Sequence, residues 1–363
     1  MNNIILDSVA AIKSSKCETY IWGGGPVAKR TAIWYENNGI AIKGFLIGQD
    51  YYSEGEIIGG RQTFCLETFI SNLDREINVI YCIGRNLKYE INLIDSDRIK
   101  NFIIADFSAA FAIEDAELNV WDNSFWYSNK NAIMDIRNGF FDEESKKAFD
   151  EWIYQKRTSI NLKPYSNQTQ YFEPGVIKFH ENETFVDVGG YEGETTIEFF
   201  KQSQNISNTS AIILEPEKAN CDIIKEAFSR KTNIKIMPYG AWSKYQKIAI
   251  SSDGSNSTLG HGDGFVECDT LDHLLKDEYP TYIKMDIEGA ELEALKGAEK
   301  TIKRATPKIA VCVYHKKKDV INIIEFLKGI VPTYNYFFRS YRSEGIEAVL
   351  YAIPSSDNTN ENN

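Results

Sequence analysis

The chain has 363 residues, with 52 acidic against 40 basic side chains and a formal net charge of −12. That balance argues against a nucleic-acid partner, whose phosphates call for a basic surface, and no apolar run approaches the length of a membrane span. At 43% hydrophobic and 25% charged residues the composition is that of a globular protein, and the length has room for two domains.

The N-terminal MNNIILDSVAAIKSSK lacks a basic segment followed by a long apolar core, so a cytoplasmic location is expected. Cys17, Cys65, Cys82, Cys221, Cys268 and Cys312 are scattered, with no Cys-x-x-Cys pair and no His at ligand spacing. They are read as reduced core thiols, and no dedicated metal site is expected from them.

Tyr20 to about Phe107 alternates strands and helices. TYIWGGGPVAKRTAIWYENNG is a short strand, a glycine turn and an amphipathic helix, and IKGFLIG is a second strand, which makes a βαβ unit. Gly23, Gly25 and Ala28 have the spacing of a dinucleotide turn, with Asp50 after the second strand as a ribose partner; the same glycines also suit a scaffold that needs them only for helix packing. INVIYCIG and FIIADF add two buried strands, with a helix over Glu67 to Glu76 before the first. Residues 1–110 are therefore expected to form a Rossmann-like α/β domain.

Over 111–169 charged, aromatic-bearing helices take over, FDEESKKAFDEWIYQKR being the clearest amphipathic one, and a helical connector or cap is expected. Trp121, Phe125, Trp126 and Tyr127 lie together and are read as an interdomain core.

A second domain is expected over 170–354. In FVDVGGYEGETTIEFF an apolar strand ends in Asp187, turns on Gly189, Gly190 and Gly193, and opens into a Thr-rich helix start. Glycines there permit positive φ and close approach, and the helix start offers unpaired N–H groups. SAIILEP is the next strand, and Glu215 at its end is placed to accept both hydroxyls of a ribose, or else to cap the following helix. NIKIMPYGAWS is a third strand, with Tyr239, Gly240 and Ala241 able to border an adenine ring. SDGSNSTLGHGDG reads as a flexible connection over the mouth of the site.

TYIKMDIEGAELEALKGA brings Asp286 and Glu288 to a strand end, and PKIAVCVYH brings His315 to another. In an open parallel sheet the carboxyl ends of the strands line the ligand crevice. Lys316 to Lys318 read as a solvated helix start, NYFFRSY and EAVLYAIP as an antiparallel closing pair, and 355–363 as a disordered tail.

VDVGGYEGETT, ILEP, TLD, IKMDIEGAELEALKGA and VYH followed by VLYA resemble the FkbM-type methyltransferases over roughly residues 170–354. The resemblance implies an α/β fold with the seven-stranded mixed sheet of class I methyltransferases, preceded here by the smaller Rossmann-like domain. It implies S-adenosylmethionine as cofactor, with Asp187, Gly189, Gly190, Tyr191, Gly193 and Thr195 around the methionine end and Glu215 with Pro216 at the ribose. The adenine reading of Gly240 and Ala241 joins this set. The implied acceptor is a small sugar-like molecule, methylated on a hydroxyl of a sugar, nucleotide-sugar or related polyol in polysaccharide or natural-product biosynthesis. Gly190-Tyr191-Glu192 departs from the family, which commonly carries Ala-Asn and a small residue there. A homo-oligomer is compatible with all of this.

An aliphatic hydroxyl gives up its proton about as reluctantly as water, at a pKa around 15.7, so the acceptor needs a base or a metal. Asp286 and His315 are the catalytic pair expected from the sequence, His315 as base and Asp286 orienting it. Two alternatives stand beside this: His315 capping a helix, and Asp286 with Glu288 holding a divalent ion. Two rival functions also stand. One is an NAD-linked oxidoreductase on Gly23 and Gly25, although no Tyr-x-x-x-Lys pair accompanies them in the first domain. The other is a non-catalytic nucleotide-sugar-binding protein.

Overall fold

Runs of β-branched and aromatic residues form the strands of two largely parallel sheets. The structure is a computed structural model that describes residues 1–83, 97–111, 118–160, 166–251, 258–259, 264–342 and 345–358. The chain divides into two units, Met1–Ser128 with Glu151–Lys163 and Ser343–Ile346, and Asn129–Asp150 with Pro164–Arg342 and Glu347–Asn363.

The first unit opens with α1 (Ile4–Ser15), whose first-turn N–H groups at Ile5 and Leu6 are capped by the Asn3 side chain. Its strands are β1 (Glu18–Trp22), β2 (Ile42–Ile47), β3 (Ile57–Ile58), β4 (Arg61–Cys65), β5 (Ile77–Tyr81) and β6 (Ile99–Ile104). They lie in the order β3-β4-β2-β1-β5-β6, and only the β3–β4 pair is antiparallel. Helices α2 (Pro26–Asn37), α3 (Leu66–Ser71) and α4 (Phe107–Ala110) complete the Rossmann-like pattern. α3 ends short of the expected Glu76, because the Asn72 N–H turns back onto the carbonyls of Thr68 and Ile70.

The glycine turn after β1 is tightly packed. A Cβ on Gly23 (φ 126°) would come within 2.8 Å of the Cys82 carbonyl, and one on Gly24 within 2.9 Å of Ile47 and Ile58. Ala28 is fully buried, whereas Asp50 is exposed in a short turn after β2. These close approaches are to residues at strand ends of the same sheet and not to a helix, and a Cβ on Gly25 would meet nothing within 4 Å.

Helices α5 (Asn123–Asn138) and α6 (Glu143–Thr158) each have residues in both units, so the 111–169 stretch does not stand as a body of its own. Trp121 packs on Phe125 and on Trp152 of α6, all inside the first unit, while Tyr127 is 74% exposed; the aromatic cluster expected between the domains thus belongs to the first. In the second unit Phe140 and Phe149 pack against Phe338.

The second unit holds β7 (Thr184–Val188), β8 (Ser210–Leu214), β9 (Ile234–Met237), β14 (Tyr282–Met285), β15 (Lys308–Cys312), β16 (Tyr334–Ser340) and β17 (Ala348–Pro354). Their order is β16-β17-β15-β14-β7-β8-β9, parallel from β15 to β9 and antiparallel at β16 and β17. This is the seven-stranded mixed sheet expected from the sequence. Between β9 and β14 a smaller sheet forms from β10 (Gly240–Ala241), β11 (Gln246–Ser251), β12 (Thr258–Leu259) and β13 (Gly264–Asp269). The expected single strand NIKIMPYGAWS is therefore two: Pro238 has no N–H for a ladder, so β9 stops at Met237 and Gly240 pairs instead with Cys268.

The surrounding helices are α7 (Glu194–Gln202), α8 (Lys218–Ala227), α9 (Leu271–Leu274), α10 (Glu291–Lys296), α11 (Glu299–Ala305) and α12 (Asp319–Ile330). Phe199 of α7 stacks on Phe185 of β7, and Ile224 of α8 packs on Ile213 of β8, which seats both helices on the sheet. Of the tail, Ser355–Asn358 form a short 3₁₀ turn and the remainder lies outside the described residues, as does most of SDGSNSTLGHGDG. Among the described residues no helix is long and apolar enough to cross a membrane, and all six cysteines are free.

Candidate active site

Strand order reverses between β7 and β14, and ligands of open α/β sheets bind at such a switch point. Register pairs Val188 with Met285 and with Leu214, so Gly189, Asp286 and Glu215 leave the sheet side by side. The glycines make this possible. A Cβ on Gly189 (φ 83°) would sit 2.2 Å from the Asp286 carbonyl, and one on Gly190 would sit 2.2 Å from the Ile213 side chain. Tyr191 follows at φ 46°, and Gly193 (φ 92°) starts α7 with no side-chain cap.

The expected cofactor residues have distinct surroundings. Asp187 is fully buried; its Oδ2 accepts from Thr196 Oγ1 at 2.8 Å and its Oδ1 pairs with Lys284 Nζ at 3.1 Å. Lys284 also donates to the Gly189 carbonyl at 2.7 Å. Burial pulls the Lys284 ammonium down, but Asp187 and Asp286 outweigh it and hold it above its ordinary value. Asp187 therefore anchors the turn from beneath. Thr195 is half-buried beside Thr196, the threonine that bonds Asp187.

Glu215 ties the turn to the next helix. Its Oε2 accepts from the Tyr191 N–H and its Oε1 from the Glu217 N–H, both at 2.9 Å. Burial raises its carboxyl above the ordinary value despite these bonds. Oε1 also accepts from Asn220 Nδ2 at 3.4 Å, so Glu215 ties down the approach to α8, which itself starts after Glu217 without a side-chain cap, and Oε2 retains a further lone pair. Gly240 lies against Pro216 and Cys268, so Pro216, Gly240 and Ala241 meet where β8 ends and the small sheet begins.

A second cluster stands past the ends of β14 and β15. His315, fully buried, has Nδ1 3.0 Å from Glu291 Oε1, and its Nε2 lies 3.5 Å from Glu288 and 3.6 Å from Asp286. Glu291 opens α10 and accepts from the Ile287 and Gly289 N–H groups, curling the Asp-Ile-Glu-Gly loop so that Glu288 sits at φ 53°. Burial pushes the His315 imidazole down, yet Glu291, Glu288 and Asp286 prevail and hold it well above its usual range. Burial pushes the Glu288 carboxyl up to about 7, with Asp286 adding to the rise and His315 opposing it. Burial also acts upward on Asp286, but His315 and Lys284 hold it below its usual value. Donor atoms of Asp286, Glu288 and His315 all lie within 4.8 Å of one another, as do those of Asp286, Cys312 and Glu347, spacings that would also suit a divalent ion.

The structure thus brings Asp187, Gly189, Gly190, Tyr191, Gly193 and Glu215 together at one strand end, and Asp286 and His315 at the next. Sequence reasoning passed over Lys284, Thr196, Glu291 and Tyr171, whose hydroxyl donates to Asp286 Oδ2 at 2.8 Å. Lys284 had a signal, a lone cation inside the apolar strand YIKM; Tyr171 had none.

No protein of curated function matches the sequence. A solved structure of methyltransferase FkbM from Methylobacillus flagellatus KT is similar over 95% of this chain and 93% of that one, at 20% identity and a TM-score of 0.75. An O-methyltransferase from Bacillus cereus, solved in complex with SAH, covers 47% of this chain and 74% of its own at 14% identity and a TM-score of 0.32. The sequence from 187 to 338, which runs from Asp187 through the Asp286 and His315 cluster to β16, matches the family described as the methyltransferase FkbM domain. Residues 187–338 are thus similar to the methyltransferase FkbM domain, and the chain shares its fold with the solved FkbM structure.

Proposed function

We propose that the protein is an S-adenosylmethionine-dependent O-methyltransferase acting on a hydroxyl of a sugar, nucleotide-sugar or related polyol in polysaccharide or natural-product assembly. The observation that carries this reading is the meeting, at one switch point, of a bare glycine turn with an acidic strand end and a buried acid-imidazole cluster. The residues present suit the cofactor: Gly189, Gly190 and Gly193 put no side chain over the turn, and α7 begins there without a side-chain cap. S-adenosylmethionine supplies an electrophilic methyl group when bound.

Glu215 would accept from the ribose hydroxyls, the start of α7 would face the amino-acid end, and Gly240 with Ala241 would border the adenine. Asp187 and Lys284 act from below by fixing the turn. Much of the remaining work is alignment of the acceptor, together with removal of its proton. An imidazolium has no lone pair to offer, so His315 held charged leaves the proton-accepting role to a carboxylate beside it. Glu288, pushed up to about 7, is the group matched to that task, with His315 and Asp286 setting its charge and position.

Calorimetry on the full chain tests the reading: S-adenosylhomocysteine should bind, and NAD should not. Glu215→Ala should weaken that binding at least tenfold, since each hydrogen bond to a charged group is worth about 1.5–3 kcal/mol and about 1.4 kcal/mol is tenfold. Unchanged affinity in a variant with parental circular dichroism would remove Glu215 from the ribose site.

A further inference from the structure

Tyr171 lies in a turn before β7, 6% exposed, with φ of 68°. A bulky residue in the left-handed region is strained and persists only where its surroundings over-determine it. Here they do so. The Tyr171 N–H donates to Tyr351 Oη at 3.2 Å, and the Tyr171 carbonyl accepts from Tyr282 Oη. Both of those tyrosines are fully buried in the central sheet, so two core hydroxyls hold the backbone of a third tyrosine in a conformation that it does not favour.

The outcome is the aim of the Tyr171 side chain. Its hydroxyl donates to Asp286 Oδ2 at 2.8 Å and lies 3.4 Å from Cys312 Sγ, and Lys284 Nζ stands 5.4 Å from its ring. With Oδ2 engaged, Asp286 presents Oδ1 to His315 Nε2 at 3.6 Å. We propose that Tyr171 is a positioning residue of the transfer site, which sets the Asp286 carboxylate so that one oxygen is fixed and the other faces His315. The proposal rests on the reading of Asp286, Glu288 and His315 as the site of proton acceptance. It assigns a role to a segment that lies before the stretch matched by the family.

The test is ¹⁵N-histidine NMR of the full chain at one neutral pH, where four histidines give few signals to assign. Tyr171→Phe keeps the ring and removes only the hydroxyl. The two ring protons of His315 then report separately, Nδ1 on Glu291 and Nε2 on the Asp286 and Glu288 side. The Nε2 proton should exchange with water about tenfold faster or more, the loss expected when a hydrogen bond to a charged group goes, while the Nδ1 proton keeps its rate. Equal rates at both protons in parent and variant would overturn the proposal. So would a slower Nε2 proton, or a matched acceleration at both nitrogens, which general loosening produces. Should Tyr171→Phe fail to fold, Tyr351→Phe frees the backbone and leaves the hydroxyl; it should accelerate the same proton alone, and no change there would equally sink the idea. Binding of S-adenosylhomocysteine and turnover by Glu288→Gln judge the proposed function separately, because neither depends on the Nε2 signal.

Discussion

Replacing Lys284 with Met should destabilise the protein by about 3–5 kcal/mol, the usual cost of removing one partner from a buried ion pair. Asp187 has no exposure at all, and the Lys284 side chain has 4%. Without the ammonium, the carboxylate keeps only the Thr196 hydroxyl, and the Gly189 carbonyl loses its donor. Met matches the stem in length and shape, so the loss reports the charge rather than a cavity. Urea midpoints at constant m-value read it directly. Adding Asp187→Asn to the Lys284→Met chain should recover much of the loss, since it removes the orphaned charge. A Lys284→Met protein within about 1 kcal/mol of the parent would mean that the pair is not needed to hold the turn.

The second large effect is on turnover. Glu288→Gln keeps the shape of the side chain but cannot take a proton at neutral pH, and positioned general bases contribute typically about 10²–10⁴-fold. Release of S-adenosylhomocysteine with a panel of hydroxylated sugars as acceptors should fall by that factor, while cofactor affinity stays near the parent's. The pH dependence has a definite sign. A carboxyl with its pKa raised to about 7 is protonated below that pH, so parental turnover should rise as pH climbs through about 7 and then level off. Chelator should leave this profile intact. If Glu288→Gln keeps full turnover, or if chelated enzyme is inert until magnesium is returned, the carboxylate is not the base.

Much of the frame is legible in the sequence because parallel strands buried on both faces write themselves as apolar runs, and their carboxyl ends as the first polar residues that follow. Asp187, Glu215 and Asp286 are all found that way. What each carboxylate touches is less legible. Whether Asp187 faces a ligand or a lysine depends on the register that pairs it with Lys284 one strand away, and the spacing between them in sequence carries no trace of it. His315 has a similar history: the sequence marks an imidazole at a strand end, but the three carboxylates that keep it charged come from a loop shaped by Glu291. Tyr171 is the extreme case, since its place depends on a left-handed turn at a residue type that avoids one.

Arg339 of β16 has a consequence for exchanging parts between proteins. Its guanidinium, 2% exposed, is gripped by Asp142 at 2.8 Å, Glu144 at 3.1 Å and Glu173 at 3.2 Å, and Ser145 Oγ accepts from its Nη1 at 2.8 Å and from the Phe338 N–H at 2.9 Å. All three acids precede residue 187, where the family match begins. A cassette cut at that boundary and grafted elsewhere would carry a buried cation stripped of its anions, and a cut at residue 170 would still discard two of the three. The portable piece of this protein starts no later than Asn129, on helix α5, well upstream of residue 187.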